Sequence, residues 1–501
     1  MGKGDGRTAL ALNSSVPALR ITPCNEAPVN GQGAFVLYWM TAFRRPGWNF
    51  ALDRAVEWAR ELRKPVVVLE PLRCDYPWAS DRLHAFVLEG MADNARELAE
   101  KPVLYYPYAE RKKGEGKGLL EALSLDACVI IGDDFPCFFL PSMIRAAAGR
   151  VKVRMEKVDA NGLIPLRLSE KVFFSAYHFR RFTQKNLPPL LNQRPKSRPF
   201  AGQRLPRLST LPRRIGERWP PLSTDQLKDG KSFVKGLPID HQVLPVDYRG
   251  GTEVARSALK SFLERKLPYY KTDRNHPDRA AESGLSPYLH FGHISSHEIV
   301  NSVLKRQGWS PSSLKEEAKG QRQGWWGLDE HAEPFLDQLV TWRELGYQFS
   351  QKQSDYHKYD SLPSWAVKTL LEHEGDPRPR LYTLKEFEAA RTHDPVWNAA
   401  QRQLLVEGRI HNYLRMLWGK KILHWTPTPK EALRIMEWLN NRYALDGRDP
   451  NSYTGIFWVL GRHDRAWGPE RPIFGKVRYM TSESTVRKVH IKEYLEKWAF
   501  I

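Results

Sequence analysis

The stretches AFVLYWM at residues 34–40, FALDRAVEWAREL at 50–62 and PVVVLEPL at 65–72 set a short apolar run, a helical pattern and a second apolar run in succession. The alternation resumes with PVLYYPY at 102–108 and ACVIIGD at 127–133. Strands separated by helices predict a doubly wound, Rossmann-like parallel sheet covered on both faces, because parallel neighbours need a crossover between them. No GxGxxG follows the first strand, which argues against a dinucleotide pyrophosphate site there. The glycines of KKGEGKGLL at 112–120 lack the Walker pattern and read as a solvated loop.

Outward from this unit the character of the chain changes twice. From 166 to 247 it is rich in Pro and Arg, as in RPKSRPFAGQRLPRLSTLPRRIGERWPP, with no sustained period. That composition predicts an interdomain connector crossing a surface, anchored by Phe173, Phe174, Tyr177 and Phe179, its arginines read as solvated charge. After Gly250 and Gly251 helical stripes take over: Val254, Ala258 and Phe262 recur every four residues beside Leu259, Leu263 and Leu267. Similar stripes occur in SWAVKTLLEH, PVWNAAQRQLLVEG and KEALRIMEWLNNRY. The expected organisation is a flexible segment at 1–30, an α/β domain at 31–165, the connector at 166–247 and an all-α domain at 248–501.

Composition narrows the functional class. Lys and Arg number 77 against 57 Asp and Glu, a formal charge of +20, which favours a polyanionic partner. No apolar run approaches the roughly 20 residues of a spanning helix, so no membrane role is expected. Cys24, Cys74, Cys128 and Cys137 form no CxxC and no dense framework, which indicates a reducing compartment and no metal site.

The densest chemistry lies in HNYLRMLWGKKILHW at 411–425 and LNNRYALDGRDPN at 439–451. Trp418 and Trp425 stand seven residues apart, which on a helix puts both rings on one face about 10 Å apart along the axis. That spacing suits electron hopping, although packing alone also explains it. Packing does not explain LDGRDPN, a polar loop with two carboxylates and no helical period.

These residues resemble the photolyase and cryptochrome family, and within it the class II cyclobutane pyrimidine dimer photolyases. The resemblance runs, in order, through SGLSPYLHFGHIS (283–295), FLDQLVTWREL (335–345), THDPVWNAAQ (392–401), HNYLRM, LDGRDPN and FGKVRYM (474–480), with a weaker match in VLYWM (36–40) and WNFAL (48–52). KRQGWSPSSLKEEAKGQRQGWWGLDEH at 305–331 looks like an insertion relative to shorter relatives, with no role evident for Trp325 and Trp326.

The resemblance implies FAD in the helical domain. Tyr270 and the run Ser283, Gly284, Leu285 and Ser286 match positions holding its phosphates. Arg415, Asp446, Gly447 and Arg448 match flavin contacts, and Asn440 the residue facing flavin N5. Trp342, Asn412, Met416 and Trp458 match the pocket for the flipped dimer, and Arg274 and Asn275 the residues probing the gap left in the duplex. The family's dimer-contacting carboxylate aligns near Asp337 and Gln338. By register the position is Gln338, an amide that hydrogen-bonds a base but cannot transfer a proton. Trp418, Trp397 and Trp425 match the class II chain that reduces oxidised flavin, in that order from flavin to surface.

The implied activity is light-driven repair of pyrimidine dimers in UV-damaged DNA by reduced, anionic FAD, with a deazaflavin or folate antenna in the amino-terminal domain as a further expectation. A monomer in the cytoplasm, on the nucleoid in a bacterium, is the matching expectation. A cryptochrome-like photoreceptor and a light-independent flavin or DNA-binding protein are the alternatives. Only about twenty residues follow Met480, which leaves no long signalling tail and favours repair. A (6-4) specificity fits the blocks less well than the class II group.

Overall fold

The computed structural model describes residues 14–499. Strands β1 (Ile21–Pro23), β2 (Phe35–Trp39), β3 (Val66–Leu72), β4 (Val103–Ala109), β5 (Ala127–Asp133) and β6 (Met155–Val158) form one sheet in the order β1-β6-β5-β2-β3-β4. Every pairing is parallel except that of β1 with β6. Helices α1 (Phe50–Leu62), α2 (Asp81–Leu98), α3 (Leu119–Ser124) and α4 (Leu140–Ala148) join the strands. Because side chains alternate along a strand, Val36 and Tyr38 enter the core packed on α1, whereas Phe35, Leu37 and Trp39 enter the core packed on α3 and α4.

The segment expected to be flexible at 1–30 behaves otherwise from residue 14 on, and residues 1–13 lie outside the described ones. Ser14 Oγ and Ser15 N donate to the Glu57 carboxylate at 2.6 and 2.8 Å. β1 then pairs antiparallel with β6, from Ile21 opposite Val158 to Pro23 opposite Glu156. Such an edge strand satisfies backbone groups that β6 would otherwise leave unpaired.

At the carboxyl ends of β2 and β5, where the strand order reverses, Asp133 accepts hydrogen bonds from Thr41, Ala42 and Phe43 N–H at 2.7–2.9 Å and from the Tyr38 hydroxyl. Amides that could cradle a phosphate at a switch point are thus taken by the chain's own carboxylate, which agrees with the missing glycine fingerprint.

The connector packs as it crosses the sheet. It contains α5 (Ala176–Asn186), α6 (Arg213–Arg218), α7 (Thr224–Lys228) and α8 (Gly230–Phe233). Ile215 and Trp219 are buried against the α3/α4 face, and Leu227 and Val234 pack on α2. Of the four aromatic anchors, Phe173 and Phe179 are buried but Phe174 and Tyr177 are exposed.

The remainder is helical: α9 (Thr252–Ser261), α10 (Tyr270–Asp273), α11 (Ser286–His290), α12 (Ser296–Arg306), α13 (Ala332–Leu336) and α14 (Arg343–Lys352), then α15 (Ser364–Glu372), α16 (Leu384–Glu388), α17 (Pro395–Glu407), α18 (Asn412–His424), α19 (Pro429–Tyr443), α20 (Pro450–Val459), α21 (Ser482–Lys488) and α22 (Lys492–Lys497). Residues 337–342 run as a π-helical turn into α14. Trp325 and Trp326 are buried side by side in the core beneath α12 and α13, so their role is packing.

Charged side chains join the two halves. Glu344 of α14 accepts from Leu163 N–H at 2.8 Å and Ile164 N–H at 2.9 Å, and burial pushes its carboxyl up to about 7. Arg82 of α2 donates to the Tyr443 carbonyl at 2.7 Å and to the Leu405 carbonyl at 2.5 Å. Each charge meets backbone dipoles at the joint, which offsets part of its desolvation.

Candidate functional site

A cavity of 1090 Å³ opens in the helical half. Its wall is assembled from α10, the 282–290 loop and α11, the π-helical turn before α14, the start of α18, the 446–449 loop and α20. Tyr270, Arg274, Asn275, Ser283, Gly284, Leu285, Ser286, Gln338, Trp342, Asn412, Arg415, Met416, Asp446 and Trp458 all line it. Residues from six sequence blocks therefore converge on one space.

Asn440, Gly447 and Arg448 do not line the cavity. Asn440 lies one layer behind, its amide donating to Ser452 Oγ at 2.7 Å, and Ser452 does line it. The Arg448 guanidinium donates to the carbonyls of Asn441, Ala444 and Leu445, closing the end of α19. Its burial lowers the guanidinium pKa, and its role is to hold the loop that aims Asp446. Asp446 in turn receives Arg415 Nη2 at 3.0 Å, a charge-assisted bond within the cavity wall.

The donor set at 282–286 fits an anionic group. Gly284 has φ +69°, and a Cβ there would meet only the Arg409 guanidinium, at 3.8 Å. The loop is thus open on a side facing a cation, with the Ser283 and Ser286 hydroxyls beside it. Arg415, Asp446, Asn451 and Ser452 offer the donors and acceptors that a flat heteroaromatic ring requires. His411 Nε2, 2.9 Å from Glu282 Oε1, joins the start of α18 to this loop.

Trp342 and Trp458 form a V, with ring centroids 5.6 Å apart and planes 40° apart. Trp458 Nε1 is buried without a hydrogen-bond partner. It is the indole faces, not this donor, that line the cavity. Met416 and Asn412 face the same space one turn apart on α18.

Behind the cavity the other three tryptophans stand in a row. Trp397 of α17 lies parallel to Trp418, 6.5 Å between centroids at 4°, and 6.2 Å from Trp425 at 68°. Trp397 stands between the two. The outer end differs from expectation, since Trp425 is only 1% exposed. Tyr382 N–H donates to its carbonyl at 3.1 Å, and the rings of Tyr382 and His393 pack edge-on against the indole. The 382–393 segment therefore covers a tryptophan that was placed at the surface.

Sequence reasoning passed over several lining residues. His411 and Asn451 lie within blocks already singled out and Ser452 adjoins one, so their place in those motifs is a usable signal. Lys420 is buried at the cavity, pushed down to about 7 by burial, and donates to the Val459 carbonyl at 2.5 Å. Ser175, Tyr177, Arg180, Gly320, Arg322 and Gln323 also line the cavity, from segments with no chemical pattern of their own. Arg180 binds both oxygens of Asp337, at 2.6 and 2.9 Å, so the carboxylate next to Gln338 is already engaged.

No protein-family model matches the chain. Curated relatives do: it is 34% identical over 486 residues to the deoxyribodipyrimidine photo-lyase of Methanothermobacter thermautotrophicus, covering 96% of this chain and 98% of that one. It is 31% identical over 476 residues to the Arabidopsis thaliana protein of the same name, covering 92% and 88%. Among solved structures, a bacterial class III photolyase from Agrobacterium tumefaciens superposes with a TM-score of 0.62 at 18% identity over 93% of this chain and 86% of that one. A Synechocystis cryptochrome superposes with a TM-score of 0.63 at 16% identity over 93% and 88%. These two establish the shared fold. Given both the fold and the extent of the sequence match, the chain belongs to the deoxyribodipyrimidine photo-lyase family.

Proposed function

We propose that the protein is a class II-type photolyase that binds FAD in the helical-domain cavity and splits cyclobutane pyrimidine dimers flipped out of UV-damaged DNA. The observation that carries this reading is that one cavity joins the Ser283–Ser286 cradle to the Trp342/Trp458 V. Reduced, anionic FAD, when bound, supplies a light-excited electron to the dimer and takes it back after the ring opens. The protein's own residues do the rest. Ser283, Gly284 and Ser286 with Arg409 hold phosphate, and Arg415 with Asp446 orients the ring system.

Trp342, Trp458 and Met416 grip the two nonplanar bases by shape and dispersion once they leave the stack. Arg274 and Asn275 enter the gap in the duplex. Gln338 hydrogen-bonds a base carbonyl or imide and holds no proton to give. Trp418, Trp397 and Trp425 form a relay that returns oxidised flavin to its working state. A deazaflavin or folate antenna in the amino-terminal α/β unit is the further expectation of this reading. A cryptochrome role shares the fold but gives no reason for an indole V that lines the cavity.

The test is the absorption spectrum of the purified protein followed by a repair assay under near-ultraviolet or blue light. A flavin spectrum and light-dependent loss of dimers are expected. A folded, colourless protein that takes up no added FAD ends this reading.

A further inference from the structure

Phe174 and Tyr177, expected to anchor the connector, are instead 54% and 51% exposed. Tyr177 stands where α5 meets the cavity, and Phe174 lies just before the helix. The opposite face of α5 is fixed: Phe173 and Phe179 are buried with Leu345, and Trp342 packs on the same cluster. The helix therefore rests on the wall that carries one arm of the indole V. Tyr177 lines the cavity itself.

The Tyr177 ring is backed from behind. A Cβ on Gly320 would come within 3.1 Å of its ring Cε2, and Gly320 has φ +77°, so a glycine of the 305–331 segment lets the ring lie against the backbone. Phe174 stands edge-on to Phe349 at 6.2 Å, and Phe349 touches His463 of the cavity wall at 5.2 Å. Arg181, one helical turn from Tyr177, and Arg322, in the cavity lining two residues beyond Gly320, are both exposed. Arg180 differs, being committed to Asp337.

Held aromatic faces beside exposed guanidinium groups match the requirement of an unpaired nucleotide, whose base has an apolar face and whose phosphate is anionic. Flipping two adjacent bases unstacks their neighbours and strands their partners, so such nucleotides must exist at this mouth. We propose that Tyr177, flanked by Phe174, Arg181 and Arg322, is a stacking platform for an unpaired base next to the flipped dimer. This rests on the repair reading above. It gives the 305–331 segment a purpose beyond packing, since Gly320 seats the ring and Arg322 faces the strand.

The experiment measures binding of dimer-containing duplex DNA by wild-type protein, Tyr177→Ala and Tyr177→Phe, with 2-aminopurine placed beside the dimer to report stacking. Tyr177→Ala is expected to weaken duplex binding by roughly 5- to 100-fold and to relieve the quenching of 2-aminopurine. Tyr177→Phe keeps the ring and is expected to retain both. The loss on an isolated thymidine dinucleotide dimer, which does not reach the platform, is expected to be much smaller than on duplex. Unchanged duplex affinity in Tyr177→Ala, unchanged quenching, or equal losses on dinucleotide and duplex overturns the platform while leaving repair intact. Failure of the wild-type protein, loaded with reduced FAD, to split either substrate in light overturns the repair reading and the platform with it.

Discussion

The helical half holds two sets of tryptophans at nearly the same spacing and in opposite surroundings. Trp397, Trp418 and Trp425 stand 6.5 and 6.2 Å apart, and Trp342 and Trp458 stand 5.6 Å apart. In the row, Trp397 Nε1 donates to the Trp418 carbonyl at 3.0 Å and Trp418 Nε1 to Gln401 Oε1 at 2.9 Å, and all three rings are buried. In the V, both rings face the cavity and Trp458 Nε1 has no partner. Distance between rings does not separate the two tasks, but exposure does. A sealed indole can pass an electron yet meet no ligand, whereas one that lines a cavity can receive a visitor.

The sharpest way to break this contrast is Trp418→Phe. Photoreduction of oxidised flavin is expected to be largely abolished, while chemically reduced enzyme keeps most of its repair. Trp425→Phe is expected to slow photoreduction less completely. Stopped-flow spectra under illumination decide it, and unchanged photoreduction in the Trp418 variant would make the whole row core packing.

On the other side of the contrast, Trp458→Ala is expected to cost about 1–3 kcal/mol in binding dimer-containing DNA, the range for losing a base-stacking aromatic. Undamaged DNA, held through phosphates, is expected to lose little from this change and to weaken steeply with salt instead. Anisotropy titrations on both duplexes measure the difference. Equal losses would move Trp458 out of the dimer pocket.

Lys420 links the two sets, because α18 also carries Trp418 and its bond to the Val459 carbonyl adjoins Trp458. Burial lowers its pKa to about 7, with Asp464 raising it and Arg478 lowering it further. A depressed folded-state value means that its contribution to stability is complete above the ordinary lysine range and is lost as pH falls through about 7. Wild-type stability is therefore expected to drop by about 1 kcal/mol between pH 8 and 6 through this group. Lys420→Met should remove that pH-dependent part, measured as a flatter unfolding free energy against pH. An identical slope in the variant would show that another group titrates there.

The smallest effect is expected for Gln338→Glu, on the order of 1 kcal/mol or less, the worth of one exchanged hydrogen bond. Faster splitting or tighter dimer binding would show that the amide limits the natural protein. No change at all would place Gln338 away from the bases, despite its position in the cavity wall.

Legibility in the sequence followed the strength of the local pattern. Strands β2, β3, β4 and β5 could be read from their apolar runs, whereas β1 and β6, of three and four residues, could not, because so short a segment carries no period. Fourteen of the seventeen residues assigned to flavin or DNA contact line the cavity; Asn440, Gly447 and Arg448 lie behind it. LDGRDPN is polar for two reasons that look alike in one dimension. Asp446 faces the cavity, while Arg448 turns inward to three carbonyls of its own helix end.

The sequence by itself determined the parallel α/β unit, the helical half and the family, because periodicity and ordered motif blocks are local properties. The tertiary structure alone decided which face of each helix meets the cavity, that Trp425 is covered, that the amino-terminal residues close the sheet edge, and that Phe174 and Tyr177 stay exposed. Those outcomes depend on contacts between segments far apart in the chain: 382–393 over Trp425, Gly320 behind Tyr177, β6 beside β1. No composition or spacing within any one of them reports which partner it will meet.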